Sequence, residues 1–444
     1  MKKNRRRETN GVAQETPPPP PPPPPPPRAK WPGRIAVAAI VLLSIAVAVL
    51  SVKLVRVRQA PSERKSFFPF PSIQREADGL ENLTQKSTGP WGTLTSRAVM
   101  IEPADDILSP DFYRDAVPWW YFDEPLAGNI ASFLESAGLT GPQVDELLAT
   151  AEYNESVHQL RLLPGRDLIL AMTPETRATI YAELSRSDMN MLQREPFRMR
   201  AESPDVWLQD SGLSENVRSL LKKMIYRRGP FLMFSDPCAL MAEVPSESER
   251  LLAMRMLFRQ RALLCTIHIG PQDDVAGLIR YWGSGSREHA VAPLIRSVAQ
   301  AGGGDLDVAL LLPPIPRNLL YSYRNPENDV FRDCHWTSLN FFRSVADDRF
   351  ADMNIATDAF VQNYDVVTST NYLPGDVIVL SRKDDSVMHT CNYIADGVVL
   401  TKNGGALHKP WVFLELQNVI ELYSLNAPDG YVKVDALRLK DQPP

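Results

Sequence analysis

The sequence predicts an α+β chain with three structured parts: an N-terminal transmembrane helix, an α-helical middle domain, and a C-terminal domain of one helix plus a small antiparallel sheet. Three observations predict it. The run Ile35 to Val52 is uncharged and almost wholly apolar. Between Ile101 and Gly304, helix-capping residues recur at the head of amphipathic stretches. Beyond Leu306 short β-like runs take over, and a cysteine opens the helix that precedes them.

Length and charge bound what this chain can do. Its 444 residues allow two to three domains, and 44% apolar content is enough for real cores. The formal net charge of −5 hides a split, because Met1 to Lys65 carries 13 Lys+Arg against 3 Asp+Glu and the remainder carries 35 against 50. The body is therefore acidic, which argues against nucleic acid as a partner, since phosphate binding needs a cationic face. Four cysteines, Cys238, Cys265, Cys334 and Cys391, are too few for a disulfide scaffold. Cys238 and Cys265 read as small buried side chains, and a disulfide between them stays open.

Residues 1–34 form a disordered basic and proline-rich tail. Its eleven consecutive prolines, Pro17 to Pro27, fix φ and remove every backbone donor, giving a polyproline II rod of about 3.1 Å per residue. That rod is a spacer or a docking site for a proline-motif binder at 17–27. Residues 35–55 form the transmembrane helix, long enough with Leu54 and Val55 to cross the hydrocarbon core of a lipid bilayer. A cleaved signal peptide fits less well, because the run is long, starts far from Met1 and lacks a small-residue cleavage site. The expected location is the cell (inner) membrane, single-pass, with the C-terminal body extracytoplasmic. Residues 56–100 read as a linker rich in Ser, Pro, Gly and charge.

Residues 101–305 read as an α-helical domain. Thr140 precedes GPQVDELLATAE, and Thr173-Pro174-Glu175 opens ETRATIYAELSR. Ser246 with Glu249 is a capping box leading into RLLAMRMLFRQRALL. Asp273-Asp274 leads DVAGLIRYWG, and EHAVAPLIRSVAQ is stopped by Gly302-Gly303-Gly304. His158, His268 and His289 lack metal-ligand spacing. Pro118-Trp119-Trp120-Tyr121-Phe122 reads as a packed corner between helices.

The chemistry gathers in residues 315–444. Asp333-Cys334-His335-Trp336 opens a helix expected to run from about Cys334 to Val345. Leu373-Pro374-Gly375-Asp376 introduces Val377 to Leu380, and Met388 to Ile394 is joined to Val398–Thr401 through the hairpin signal Ala395-Asp396-Gly397. Cysteine at a helix start meets unpaired N–H groups that favour thiolate, and a histidine on a later strand can serve as its base. His389, Cys391 and Tyr393 share one strand face. If that face meets the Cys334 helix, His389 is the base.

These three pieces resemble the NlpC-like cell-wall peptidases, whose papain-like fold cleaves amide bonds in peptidoglycan stem peptides. The family pattern is Asp-Cys at a helix start, Pro-Gly-Asp before a strand, and His on a strand leading into a Tyr-Ile hairpin. Here those parts are Asp333-Cys334, Pro374-Gly375-Asp376, and His389 with Tyr393-Ile394. The resemblance spans roughly residues 318–444. Where the family has Ser-Gly after Asp-Cys, this chain has His335-Trp336, and where small residues follow the histidine it has Thr390-Cys391. Family spacing points to Thr401 as the third catalytic position. Asn403 shares its face and offers a carbonyl oxygen to an imidazole N–H, so Asn403 is the expected orienter. Tyr323 stands where the family has a tyrosine near the nucleophile, and it is assigned with Asp333 to substrate binding.

The resemblance thus implies a membrane-anchored cysteine peptidase or amidase acting on peptide or peptidoglycan-like substrates. Cys334 attacks, His389 transfers the proton and Asn403 orients it, with no metal or organic cofactor. Two alternatives remain. One is a catalytically inactive, membrane-tethered binding module of the same fold. The other is a structural zinc site made by Cys334, His335, His389 and Cys391.

Overall fold

The computed structural model describes residues 84–440, apart from 124–125, 127, 157, 326–329, 426 and 428–429. The basic tail, the proline run with its expected binder, and the apolar run 35–55 lie outside the described residues.

Strands β1 (Thr84–Gly89) and β2 (Gly92–Ile101) form a hairpin in what the sequence suggested was linker. In the middle region, β3 (Trp120–Asp123), β4 (Glu152–Asn154) and β5 (Gln159–Leu162) make one small antiparallel sheet. A second is made by β6 (Phe197–Arg200), β7 (Tyr226–Arg228) and β8 (Phe231–Phe234). β9 (Gln260–Ile269) then runs antiparallel along β2 from His268 opposite Thr93 to Gln260 opposite Ile101. β10 (Gly304–Asp307) completes a four-stranded sheet in the order β1-β2-β9-β10.

The expected fold class is therefore corrected. The described chain is mixed α/β with several antiparallel sheets, where an α-helical middle domain was expected. Among the described residues, no helix is long and apolar enough to cross a membrane. The reason for the correction is visible at Arg259. The helix Glu247–Phe258 ends there, and Leu263, Cys265, Ile267 and Ile269 are buried alternately along β9. That two-residue alternation is a strand period hidden behind a continuous apolar run. Likewise Trp120 and Phe122 do not sit at a helical corner; they are the buried face of β3.

The helices signalled by their caps are present. Thr140 and Gln143 form a capping box on Gly141–Leu148, Thr173 caps Pro174–Leu184, Ser246 caps Glu247–Phe258 and Asp274 caps Val275–Trp282. Their apolar faces meet in a large core around Leu134, Ile180, Phe197, Leu240 and Leu257. At its centre Asp236 accepts hydrogen bonds from both Arg177 and Tyr181, all three buried. A charge pair this deep persists only because each group is hydrogen-bonded.

The C-terminal part is a six-stranded antiparallel sheet in the order β11 (Tyr364–Val366), β16 (Lys433–Leu439), β12 (Val377–Ser381), β13 (Val387–Ala395), β14 (Val398–Lys402), β15 (Trp411–Glu415). The β13–β14 turn puts Asp396 (φ 45°) and Gly397 (φ 74°) both in the left-handed region, as a primed hairpin turn requires. Gly375 has φ +95°, and a Cβ there would lie 2.1 Å from the Phe342 ring, so glycine is strongly favoured at this turn. Its neighbour Asp376 is buried, accepts from Leu373 N at 2.8 Å, and takes a two-pronged bond from Arg438 on β16. The Pro-Gly-Asp turn is thereby tied to the sheet it introduces.

Two helices flank this sheet. Cys334–Leu339, shorter than expected because Asn340 already terminates it, lies against β13 and β15. Ser338 donates to Thr390 Oγ1 at 3.1 Å, and Trp411 Nε1 donates to Thr337 Oγ1 at 2.9 Å. Leu416–Ser424 packs Leu416 and Val419 against Ile378, Cys391, Tyr393 and Val399. Thr390 and Cys391 are consecutive, so the two helices meet opposite faces of β13.

Candidate active site

Asp333 adopts an extended backbone and accepts from Trp336 N at 3.0 Å through Oδ1, which makes it the cap of the helix that begins at Cys334. Its other oxygen, Oδ2, lies 3.3 Å from His335 Nδ1. The same nitrogen lies 3.4 Å from Cys334 Sγ. One ring nitrogen thus bridges a thiol sulfur and a carboxylate oxygen. Burial works against a charged His335, but the neighbouring Cys334 and Asp333 outweigh it and hold its pKa well above the usual histidine value. Burial likewise opposes a charged Asp333, yet the hydrogen bond to His335 keeps that carboxyl below its ordinary range.

A second cluster lies across β13 and β14. His389 is 0% exposed. Its Nε2 is 2.9 Å from Thr401 Oγ1, and the Thr401 hydroxyl donates to Asn403 Oδ1 at 2.9 Å. Because Thr401 gives its proton to Asn403, its oxygen must accept from His389 Nε2–H. The lone pair of the neutral ring then sits on Nδ1, which has no hydrogen-bond partner among the described residues. Burial, with the positive charges of His335 and Arg198 added, holds the His389 pKa well below its ordinary value. The Tyr423 ring stacks on the imidazole with centroids 4.3 Å apart.

The structure therefore brings His389, Thr401 and Asn403 together, and separately brings Cys334 together with Asp333 and His335. It makes no hydrogen bond between Cys334 and His389. The condition set by the sequence, that the His389 face should meet the Cys334 helix, is met by Thr390 instead, while His389 meets Tyr423. The two clusters nevertheless share one electrostatic neighbourhood. The charge of His335 acts on His389, and that of Cys334 acts on Cys391 and Tyr423, whose pKa values burial has already raised. Asn403 reaches the imidazole only through Thr401. Tyr323 lies elsewhere: its hydroxyl donates to the carbonyls of Phe258 and Ile101, and its ring packs on Phe258.

Residues that sequence reasoning missed come from distant parts of the chain. Arg198 on β6 donates to the Asn403 carbonyl at 3.2 Å, and Lys409 donates to the Pro196 carbonyl at 2.7 Å. Glu195 accepts from Ala406 N at 3.3 Å. The segment around β6 thus lies against the loop that follows β14. Lys402 is fully buried, donates to the Lys409 carbonyl and sits 4.7 Å over the Trp411 ring. Burial brings its pKa down to about 7, modified by Glu195, Arg324, Asp333 and Cys334. No local signal announces these partners. His335 was visible in the sequence, as the residue that departs from the family pattern.

Compared with family models, with curated proteins and with solved structures, the chain matches none.

Proposed function

We propose that this protein is a cysteine-nucleophile hydrolase of amide bonds in peptide substrates, with peptidoglycan-like peptides as the class suggested by the NlpC-like resemblance. The observation that carries this is the thiol of Cys334 in contact with an imidazole at 3.4 Å, the imidazole itself being oriented by Asp333. A thiol and a carboxylate on one imidazole nitrogen hold a proton on the ring beside the sulfur, and a thiolate–imidazolium pair is the minimal set for covalent acyl chemistry.

The cycle balances on these groups. With the proton held on His335 Nδ1, Cys334 attacks as the thiolate partner of that imidazolium, and the sulfur bonds to the substrate carbonyl carbon. The C–N bond breaks as the amine leaves with a proton from an imidazolium, giving a thioester. His335, left neutral by the departing amine, takes a proton from the attacking water; the C–S bond breaks, the acid departs, and the Cys334–His335 pair again shares that proton. His389, held as the Nε2–H tautomer by Thr401 and Asn403, keeps an unused lone pair on Nδ1.

The test is alkylation of the unfolded-control and native chain by iodoacetamide, followed by peptide mapping. Cys334 and Cys238 are equally exposed at 7%, so access alone predicts equal rates. Burial raises the Cys238 pKa to about 11, and an activated Cys334 is expected to react at least tenfold faster, with His335→Gln removing the advantage. Equal rates in the native chain would sink the proposal. One observation favours the inactive binding module instead, namely that His389 has no exposed surface. Fast labelling of Cys334 with no turnover of any amide library would select that alternative.

A further inference from the structure

We propose that Asp333, Cys334 and His335 bind one zinc ion, and that zinc there caps the nucleophile. The inference deepens the proposed function by regulating the same site, but metal binding itself does not depend on that function.

A thiolate sulfur, an imidazole nitrogen and a carboxylate oxygen are the three ligand types that zinc prefers. The three ligand atoms lie within 4.8 Å of one another, with Cys334 buried and the other two half-buried. Two of the three ligand–ligand spacings match the edges of a coordination tetrahedron. Zinc bonds of about 2.3 Å to sulfur and about 2.0–2.2 Å to nitrogen and oxygen give tetrahedral edges of roughly 3.5 Å for S···N and roughly 3.4 Å for N···O. The corresponding separations are 3.4 Å and 3.3 Å. The third pair, sulfur and carboxylate oxygen, lies within 4.8 Å and can close onto a shared ion.

The surroundings support the set. Asp333 Oδ1 is held by the Trp336 N–H, which fixes the carboxylate and leaves Oδ2 turned to the imidazole. The next two residues anchor the helix to the sheet, through Thr337 to Trp411 and Ser338 to Thr390. Three protein ligands leave a fourth tetrahedral position for water, the pattern of an exchangeable rather than a closed structural site. His389 and Cys391, the other two members of the four-ligand set considered from sequence, project from β13 on the face away from Ser338 and are not needed.

The bridging position on His335 Nδ1 holds either a proton or a metal. When zinc enters, the Nδ1 proton leaves to solvent, and sulfur donates its electron pair to the ion in place of a substrate carbonyl. Zinc and nucleophilic attack are then mutually exclusive.

The full chain, stripped of metal, is titrated with zinc against a chromophoric zinc chelator. One zinc per chain is expected, with affinity reduced at least tenfold in both Cys334→Ser and His335→Gln and unchanged in Cys391→Ser. In parallel, zinc but not magnesium should slow iodoacetamide modification of Cys334 at least tenfold. Asp333→Asn keeps a capping side chain, and it should fold and bind zinc more weakly. Unchanged zinc affinity in His335→Gln, or no protection of Cys334 by saturating zinc, overturns the proposal. Neither readout uses a substrate. A chain that binds zinc but cleaves nothing removes the proposed function and keeps this inference, and an active chain indifferent to zinc does the reverse.

Discussion

Replacing Thr401 by valine tests the relay that fixes His389. Valine keeps the branched shape and strand preference of threonine, so no cavity opens in β14 and no backbone strain arises. What disappears is one oxygen. In the wild-type chain that oxygen accepts from His389 Nε2 at 2.9 Å and passes its own proton to Asn403 at 2.9 Å. His389 is fully buried and its Nδ1 already lacks a partner, so the variant leaves an imidazole with neither nitrogen bonded. A buried donor stripped of its acceptor costs about 1–3 kcal/mol. Asn403 is only half-buried and recovers water, so it adds little. Urea unfolding at pH 8, with the slope checked against wild type, should therefore show a loss of about 1–3 kcal/mol. Asn403→Ala should cost less, about 0.5–1.5 kcal/mol, because it removes a net hydrogen bond without orphaning the ring. Imidazole nitrogen shifts give an independent readout, since the wild type should show a single Nε2–H form and the valine variant a mixture. A valine variant as stable as wild type, still showing one tautomer, would mean that Thr401 does not set the orientation of His389.

Other expectations follow from the same structure. His389 and His408 are buried with pKa values pushed well below the unfolded value of 6.5, by burial first and by nearby positive charge second. Their contribution to stability is complete above pH 6.5 and falls as the pH drops below it, by up to about 1.4 kcal/mol per pH unit for each histidine. His335, with its raised pKa, is protonated in both states below 6.5 and adds nothing in that window. Stability that stays level from pH 6.5 to 5 would contradict this. Asp236→Asn should destabilise the chain by about 3–5 kcal/mol, because it leaves the buried Arg177 guanidinium without a countercharge. The double variant Asp236→Leu with Arg177→Met should recover much of that loss, and chemical denaturation of the single and double variants decides the matter. Gly375→Ala should lower stability by about 1–3 kcal/mol, since φ is +95° and the added carbon meets the Phe342 ring. A variant with unchanged unfolding midpoint would show that the turn relaxes freely.

Much of the local structure was legible in the sequence because its causes are local. Thr140 with Gln143, Thr173, Ser246 and Asp274 each bind an N–H within three residues, and each heads a real helix. Asp396-Gly397 turns because these residue types tolerate positive φ. What failed had non-local causes. The strand β9 follows a helix with no glycine or proline between them, and only its pairing with β2, with Thr93 opposite His268, makes it a strand. The same holds at the site. The elements bearing Cys334, His389 and Thr401 could be read, but the residues that set their charge states could not. Arg198 is 191 positions before His389 in the chain, and Tyr423 belongs to a helix whose docking face depends on the sheet.

The environments of the two imidazoles push their charge states apart. His335 has a carboxylate and a thiol on the same nitrogen and keeps its proton, whereas His389 has a hydroxyl on one nitrogen, nothing on the other, and aromatic surface over its ring. Opposite surroundings thus give two histidines of one neighbourhood different charge states. The separation is partly mutual, since the charge of His335 is itself one of the influences that keep His389 neutral. Removing that charge with His335→Gln should raise the His389 pKa, though burial, the larger cause, should still hold it below 6.5. NMR titration of His389 in the variant measures this directly. An unchanged titration would mean that the two clusters do not sense each other, and the proposed division between a charged and a neutral imidazole would fail with it.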